Sequence, residues 1–278
     1  MLVRQVTRTP VQLRLLNGFD LRVRGKSIDL QAGARRLACF LALQSCPVSR
    51  AHVAGALWPD TPEVRSGANL RTALWRLSRG GLHLVEATLG TLRLADEVTV
   101  DLTLCLARAR HLVERPIDLT DSDVELMADS GDLLPDCYED WVVMERERFR
   151  LLRLYALEAL CRELVSRGRY ALAVEAGNAA VQAEPLRESA RRALVSAHVA
   201  DGNRGEAIRQ YLDYRRVLWQ ELRLLPSPAW DSSIAELSAR VGGDDWVTNS
   251  DQCDQDRVES RRPAVGWETS AQLGPVAG

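Results

Sequence analysis

The chain has 278 residues, 46% of them apolar and 27% charged, a profile that fits an ordinary soluble globular protein and excludes a disordered or fibrous one. No run reaches the roughly 18 apolar residues of a membrane helix, and the opening MLVRQVTRTP lacks the apolar centre of a signal peptide, so the expectation is a cytoplasmic protein without a membrane partner. The net charge of −2 hides an asymmetry: residues 1–104 hold 14 basic against 8 acidic side chains, and the remainder 22 against 30. The first part suits a polyanion and the rest does not.

From residue 11 to 30 the sequence VQLRLLNGFDLRVRGKSIDL alternates apolar and polar residues, with breaks at Asn17-Gly18 and at Arg24-Gly25-Lys26. This predicts a small antiparallel sheet with tight turns. Residues 34–43 place Leu37, Cys39, Phe40 and Leu41 at helical spacing, and Pro47 lies beyond the end. Ser49 is positioned to cap a second short helix with Val53, Ala56 and Leu57 on its apolar side, stopping at Trp58-Pro59. Residues 62–79 predict a longer third helix, ended by Gly80-Gly81, and LHLVEATLGTLRLADEVTVDL reads as a hairpin around Gly90. Strands, three short helices and a final hairpin predict a winged helix-turn-helix, with the third helix as the candidate reader of a DNA major groove.

Beyond Asp101 the β signal stops. Residues 102–114 are helical, the acidic connector RPIDLTDSD follows, and residues 133–240 keep a helical period broken at Gly168, Pro185, Gly202 and Pro226. Leu160, Gly168 and Ala173 recur as Leu194, Gly202 and Ala207, a spacing of 34 residues that matches tetratricopeptide helix pairs. The fold class is therefore mainly α with a small β content. A winged-helix domain is expected over 1–104, an all-α tetratricopeptide-like domain over 105–241, and a disordered polar tail over 242–278.

On a wheel of 100° per residue the third helix gathers Leu70, Leu74 and Leu77 on the face to be buried. The opposite arc holds Arg65, Ala68, Thr72, Trp75, Arg76 and Arg79, flanked by Asn69 and Arg71, with no acidic residue from 65 to 79. Guanidinium groups bind phosphates or pair with guanine edges, asparagine pairs with adenine, and small or methyl-bearing side chains allow approach to thymine. Arg93, past the Gly90 turn, is the expected wing contact to phosphate or the minor groove, and Arg35 and Arg36 are further backbone candidates.

No catalytic arrangement competes with this reading. His52, His83, His111 and His198 are scattered outside any nucleophile, metal or phosphate-loop motif, and the six cysteines (Cys39, Cys46, Cys105, Cys137, Cys161, Cys253) lack ligand spacing. We expect no enzyme, no metal and no cofactor. Two other readings stand beside the DNA reader: a tetratricopeptide adaptor whose winged helix makes only protein contacts, and a regulator that senses a small molecule in its helical half.

The stretch SRAHVAGALWPDTPEVRSGANLRTALWRLSR, with its LWPD turn and NLRTALWRLSR helix, resembles the DNA-binding domain of the Streptomyces antibiotic regulatory protein (SARP) family. The later LLPDCYEDWVVMERERFRLLRLYALEAL and EPLRESARRALVSAHVADGNRGEAIRQYLDYRRVLWQEL are similar to the bacterial transcriptional activation domain that follows it in that family, so the resemblance covers about residues 11–240. It implies an OmpR-like winged helix, binding to direct repeats near promoters as double-stranded DNA, self-association on tandem sites, and activation with RNA polymerase, commonly at secondary-metabolite gene clusters. Without a large ATPase extension the chain would be a short member. Two departures stand out: the wing reads GTLRL, with Leu92 where members often carry an aromatic, and ELRLLPSP replaces an ELG-type turn.

Overall fold

The computed structural model describes residues 11–79 and 83–239. The Gly80-Gly81 break and the tail at 242–278 lie outside the described residues.

The first sheet begins with β1 (Val11–Arg14), β2 (Asp20–Val23) and β3 (Lys26–Ser27). β1 and β2 pair antiparallel with Leu13 opposite Leu21, both fully buried, and the two-residue turn at Arg24-Gly25 has positive φ at both positions, as a right-twisted hairpin requires. Helix α1 (Ala32–Ala42) buries Ala34, Leu37, Ala38, Phe40 and Leu41. A short strand β4 (Val48–Ser49) leads into α2 (Arg50–Leu57), where the Ser49 side chain accepts the His52 amide at 3.2 Å and caps the helix as its sequence anticipates. Helix α3 (Glu63–Ser78) starts at Pro62, carries Glu63 in its first turn and Arg76 in its last, and so complements its own dipole.

Strands β5 (Val85–Ala87) and β6 (Thr91–Leu94) form the wing hairpin, with β4 added on the other side of β6. Strand β7 (Val98–Val100) returns to the first sheet and pairs parallel to β1, giving the order β3-β2-β1-β7. The chain passes from β7 directly into α4 (Asp101–Glu114), then through a 3-10 turn at Pro116–Asp118 and α5 (Ser122–Asp129).

Two helical hairpins follow: α6 (Asp140–Ser166) with α7 (Tyr170–Ala183), and α8 (Glu188–Ala200) with α9 (Arg204–Leu222). The first helix of each pair ends in the same motif. Arg169 N–H donates to Leu164 O at 2.9 Å and Gly168 N–H to Val165 O at 3.0 Å; Asn203 N–H donates to His198 O at 2.8 Å and Gly202 N–H to Val199 O at 3.1 Å. Gly168 and Gly202 take φ of +70° and +79°, the left-handed geometry that these turns need and that side chains resist. The 34-residue recurrence in the sequence is thus a recurrence of helix stops. Between the pairs, a Cβ on Gly177 of α7 would stand 3.1 Å from Leu194 of α8, so the two backbones meet where only hydrogen fits easily. Helix α9 closes without a glycine: Arg223 takes the left-handed position at φ +57°, a strain of about 1 kcal/mol.

The winged helix and the helices through α8 share one core, which runs from Val11 to Ala197, and residues up to Leu225 cluster as one compact unit. The seam between them is specific. The Asp101 carboxylate, at the first turn of α4, accepts the amides of Leu15 (2.9 Å), Leu16 (3.2 Å) and Leu102 (2.7 Å). Leu134 N–H donates to Leu15 O and Asn17 N–H to Asp132 O, both at 2.9 Å, so the end of β1 is stitched to the loop before α6. Across the same seam Arg36 of α1 binds the Glu139 carboxylate at 2.6 and 2.7 Å, and the Phe40 and Trp141 rings meet edge to face at 5.3 Å. Buried Arg153 of α6 donates to Met127 O and Ala128 O at the end of α5, at 2.6 and 2.7 Å. The chain from Pro226 forms a unit of its own, which carries α10 (Pro228–Ala239). Among the described residues no helix is long and apolar enough to cross a membrane.

Candidate nucleic-acid interface

Helix α3 is held by a seam of Ser66, Leu70, Ala73 and Leu77, all buried against α1 and α2. Leu74, expected in that seam, is half-buried at its edge because Ala73 occupies the central position; Leu74 instead forms part of a groove toward the wing. The opposite face is open. Arg65, Arg71, Thr72, Trp75 and Arg79 are exposed, and Ala68, Asn69 and Arg76 are half-exposed along its flanks.

Its electrostatics follow from what is missing around it. Among the described residues no carboxylate lies within ion-pairing distance of Arg65, Arg71, Arg76 or Arg79, whereas Arg22, Arg150, Arg167, Arg187 and Arg209 are each paired. Four uncompensated guanidinium groups along one helix make a local positive field that water and salt alone screen. Trp75 is 58% exposed, and the Arg79 guanidinium lies 5.3 Å from its ring centroid, so the indole is braced by a cation and not by the core. The Thr72 hydroxyl donates back to Ala68 O at 3.0 Å.

The wing flanks this face. A groove of about 500 Å³ runs between α3 and β5, lined by Leu74, Trp75, Leu77 and Ser78 on one side and by Val85, Glu86 and Ala87 on the other. Arg93 sits on β6 directly opposite Glu86 and is held by that carboxylate at 2.5 Å and by Asp96 at 2.6 Å. Its hydrogen bonds to Asp96 first and to Glu86 second raise its pKa. Leu92, the residue that departs from the aromatic of the family, points into the core and is fully buried. Arg36 is engaged by Glu139, and the Arg35 guanidinium stacks over Phe19 at 4.8 Å.

Sequence reasoning passes over one participant, Arg50. It opens α2, borders both the wing groove and a second hollow of about 410 Å³ that reaches Arg71, and joins the helix-turn-helix to the wing by donating its amide to Gly90 O (3.0 Å) and its Nε to Thr88 O (3.1 Å). The signal was its place directly after the Ser49 cap, at the one end of α2 where backbone amides and a cation coincide. No group of three or more potential metal ligands occurs among the described residues.

Comparison with known proteins agrees with this architecture. The family model described as bacterial transcriptional activator domain matches residues 107–238. The regulatory protein AfsR of Streptomyces coelicolor is 28% identical over 231 residues, which is 73% of this chain and 22% of AfsR, and AfsR of Streptomyces griseus is 28% identical over 222 residues, 74% and 22%. The chain thus spans about a fifth of the length of these relatives. Among solved structures, Mycobacterium tuberculosis EmbR, determined in complex with a low-affinity phosphopeptide, superposes with a TM-score of 0.64 at 18% identity, covering 91% of this chain and 71% of EmbR, which establishes a shared fold. A winged helix followed by a stretch that matches the bacterial transcriptional activator domain makes the chain similar to these regulatory proteins.

Proposed function

We infer that the chain is a sequence-specific DNA-binding transcriptional activator that lays α3 in the major groove of promoter direct repeats and engages RNA polymerase through its helical half, in control of a secondary-metabolite gene cluster. The observation that carries this reading is the row of four unpaired arginines on the exposed face of α3. In it, Arg65, Asn69, Thr72, Trp75 and Arg76 face base edges, Arg71 and Arg79 hold phosphates, and Arg93 shapes the wing through its two carboxylates. The similarity to AfsR supports regulation, and the acidic helical half, with 23 acidic against 19 basic side chains over residues 105–241, supports a protein-facing role there. Neighbouring copies on tandem repeats would bring their helical halves together.

The test is salt-dependent binding to the DNA that co-purifies with the protein in cells. Arg76→Ala is expected to cost about 1–3 kcal/mol and to relax one base position, and Arg71→Ala to reduce the slope of log affinity against log salt by about 1. Unchanged affinity and footprint in the double variant would remove α3 from the interface. Absence of any salt-sensitive DNA binding would leave the adaptor reading, and a metabolite that raises the melting temperature would favour the ligand sensor.

A further inference from the structure

The sheet of the wing ends in an open strand, and its register tells which atoms are left unbonded. Thr88 N–H donates to Thr91 O and Ala95 N–H to Leu84 O, both at 2.9 Å. Bonded pairs alternate along an antiparallel ladder, so the bonded residue between these two is Glu86, opposite Arg93. The N–H and C=O groups of Val85 and Ala87 therefore point away from β6. β5 is the outer strand of the order β4-β6-β5, and among the described residues no hydrogen bond reaches those four groups. They open on the groove of about 500 Å³ whose far wall is Leu74, Trp75 and Leu77 of α3.

Donor and acceptor pairs repeating every second residue, about 7 Å apart, are the complement of another extended strand. A DNA backbone does not match them, because phosphate oxygens accept hydrogen bonds and have none to give to the two carbonyls. Charge narrows the class of strand. Glu86 is already held by Arg93, whereas Arg79 beside Trp75 has no carboxylate partner among the described residues, and the Arg50 guanidinium at the groove is bonded to the Thr88 carbonyl. A strand entering here meets two uncompensated cations and an apolar wall. Apolar side chains two residues apart would face Leu74 and Leu77, and carboxylates at the ends would meet Arg50 and Arg79. We propose that the groove between β5 and α3 is a peptide site, in which an acidic extended segment of a partner protein adds to β5 as a further strand. Trp75 belongs both to this groove and to the open face of α3, so an occupied groove shuts DNA out and the partner is an inhibitor of DNA binding. That consequence rests on the assignment of α3 as the reader.

The experiment pans a displayed library of random peptides on the full chain. Selected sequences should carry Asp or Glu around apolar residues spaced two apart, and their binding should protect the Val85 and Ala87 amides from hydrogen exchange. N-methylation of the peptide amides that face β5 should weaken binding about tenfold, while methylation of the alternate amides leaves it unchanged. Ala87→Pro removes an outward N–H that the sheet does not use, so it should weaken peptide binding similarly and melt like wild type. Should that variant unfold, the pair of methylated peptides decides. Duplexes that the chain selects from a random-sequence library should displace the peptide, and the peptide should displace them. The proposal is overturned if no peptide is selected, if bound peptides leave the two amides unprotected, or if methylation is tolerated at every position. Protection of both amides by duplex and by no peptide would give the groove to DNA, and simultaneous binding of peptide and duplex would remove the inhibition. The assignment of α3 fails separately, by unchanged duplex selection with Arg71→Ala and Arg76→Ala together, and amide protection then still measures the groove.

Discussion

Asp101→Ala removes the acceptor on which the seam between winged helix and helical half converges. Leu15 is fully buried and Leu16 nearly so, and their amides have the Asp101 oxygens as partners at 2.9 and 3.2 Å. A buried donor left without a partner costs about 1–3 kcal/mol, and loss of a carboxylate at a helix N-terminus adds about 0.5 kcal/mol. Two stranded amides therefore put the variant about 3–6 kcal/mol below wild type. That is a large share of the roughly 5–15 kcal/mol of a typical domain. At roughly 2–4 °C per kcal/mol for a unit of this size, Tm should fall by about 6–24 °C. Asp101→Asn keeps one oxygen and should show about half the loss. Urea unfolding followed by tryptophan fluorescence measures both, and the shared core predicts a single transition for residues up to Leu225. An Asp101→Ala midpoint equal to wild type, or separate transitions for the two halves of wild type, would refute the reasoning.

Asp123, with a side chain 4% exposed, tests electrostatics in the helical half. Burial pushes its carboxyl up, but the Arg108 guanidinium (2.6 Å) and the Thr120 amide (2.6 Å) and hydroxyl (2.9 Å) outweigh it and hold the carboxyl below its usual range. A folded value below the unfolded one stabilises above the ordinary carboxylate range and is lost as pH falls through the folded value. Asp123→Asn should accordingly lower Tm at neutral pH, with the difference shrinking below about pH 4; an equal difference at both ends refutes the pairing. Thiol labelling checks the core: burial raises Cys39 and Cys161 to about 12 and Cys105 to about 11, so a thiol reagent should modify exposed Cys46 promptly and reach these three only on unfolding. Rapid labelling of Cys161 in the native protein would contradict the packing of α6 against α8.

The parts legible in the sequence are those in which a local signal and the final structure have the same cause. Ser49 caps because its oxygen reaches an amide three residues on, and Gly168 and Gly202 stop helices because the turn needs their φ, so spacing alone revealed both. The open face of α3 was legible for the same reason, as a wheel that needs no partner. Its buried face was less so: Ala73 lies in the seam with Leu70 and Leu77 while Leu74 falls to its edge, a difference that hydrophobic spacing does not register. Arg93 looked free because its partner Glu86 becomes a neighbour only through the β5–β6 register. The Asp101 bonds to Leu15 and Leu16 cross about 85 residues, and no local pattern encodes a contact at that range.

The Asp101 stitch also gives the molecule a direction. A reader on a slack tether can sit on its site either way round and let the attached domain drift to the same partner. Here the strand that carries the winged helix and the helix that begins the second half are bonded to one carboxylate, so on the function proposed above, turning the site on the DNA would turn the helices through α9 with it. For such a protein the orientation of a binding site, and not only its presence, becomes part of the message.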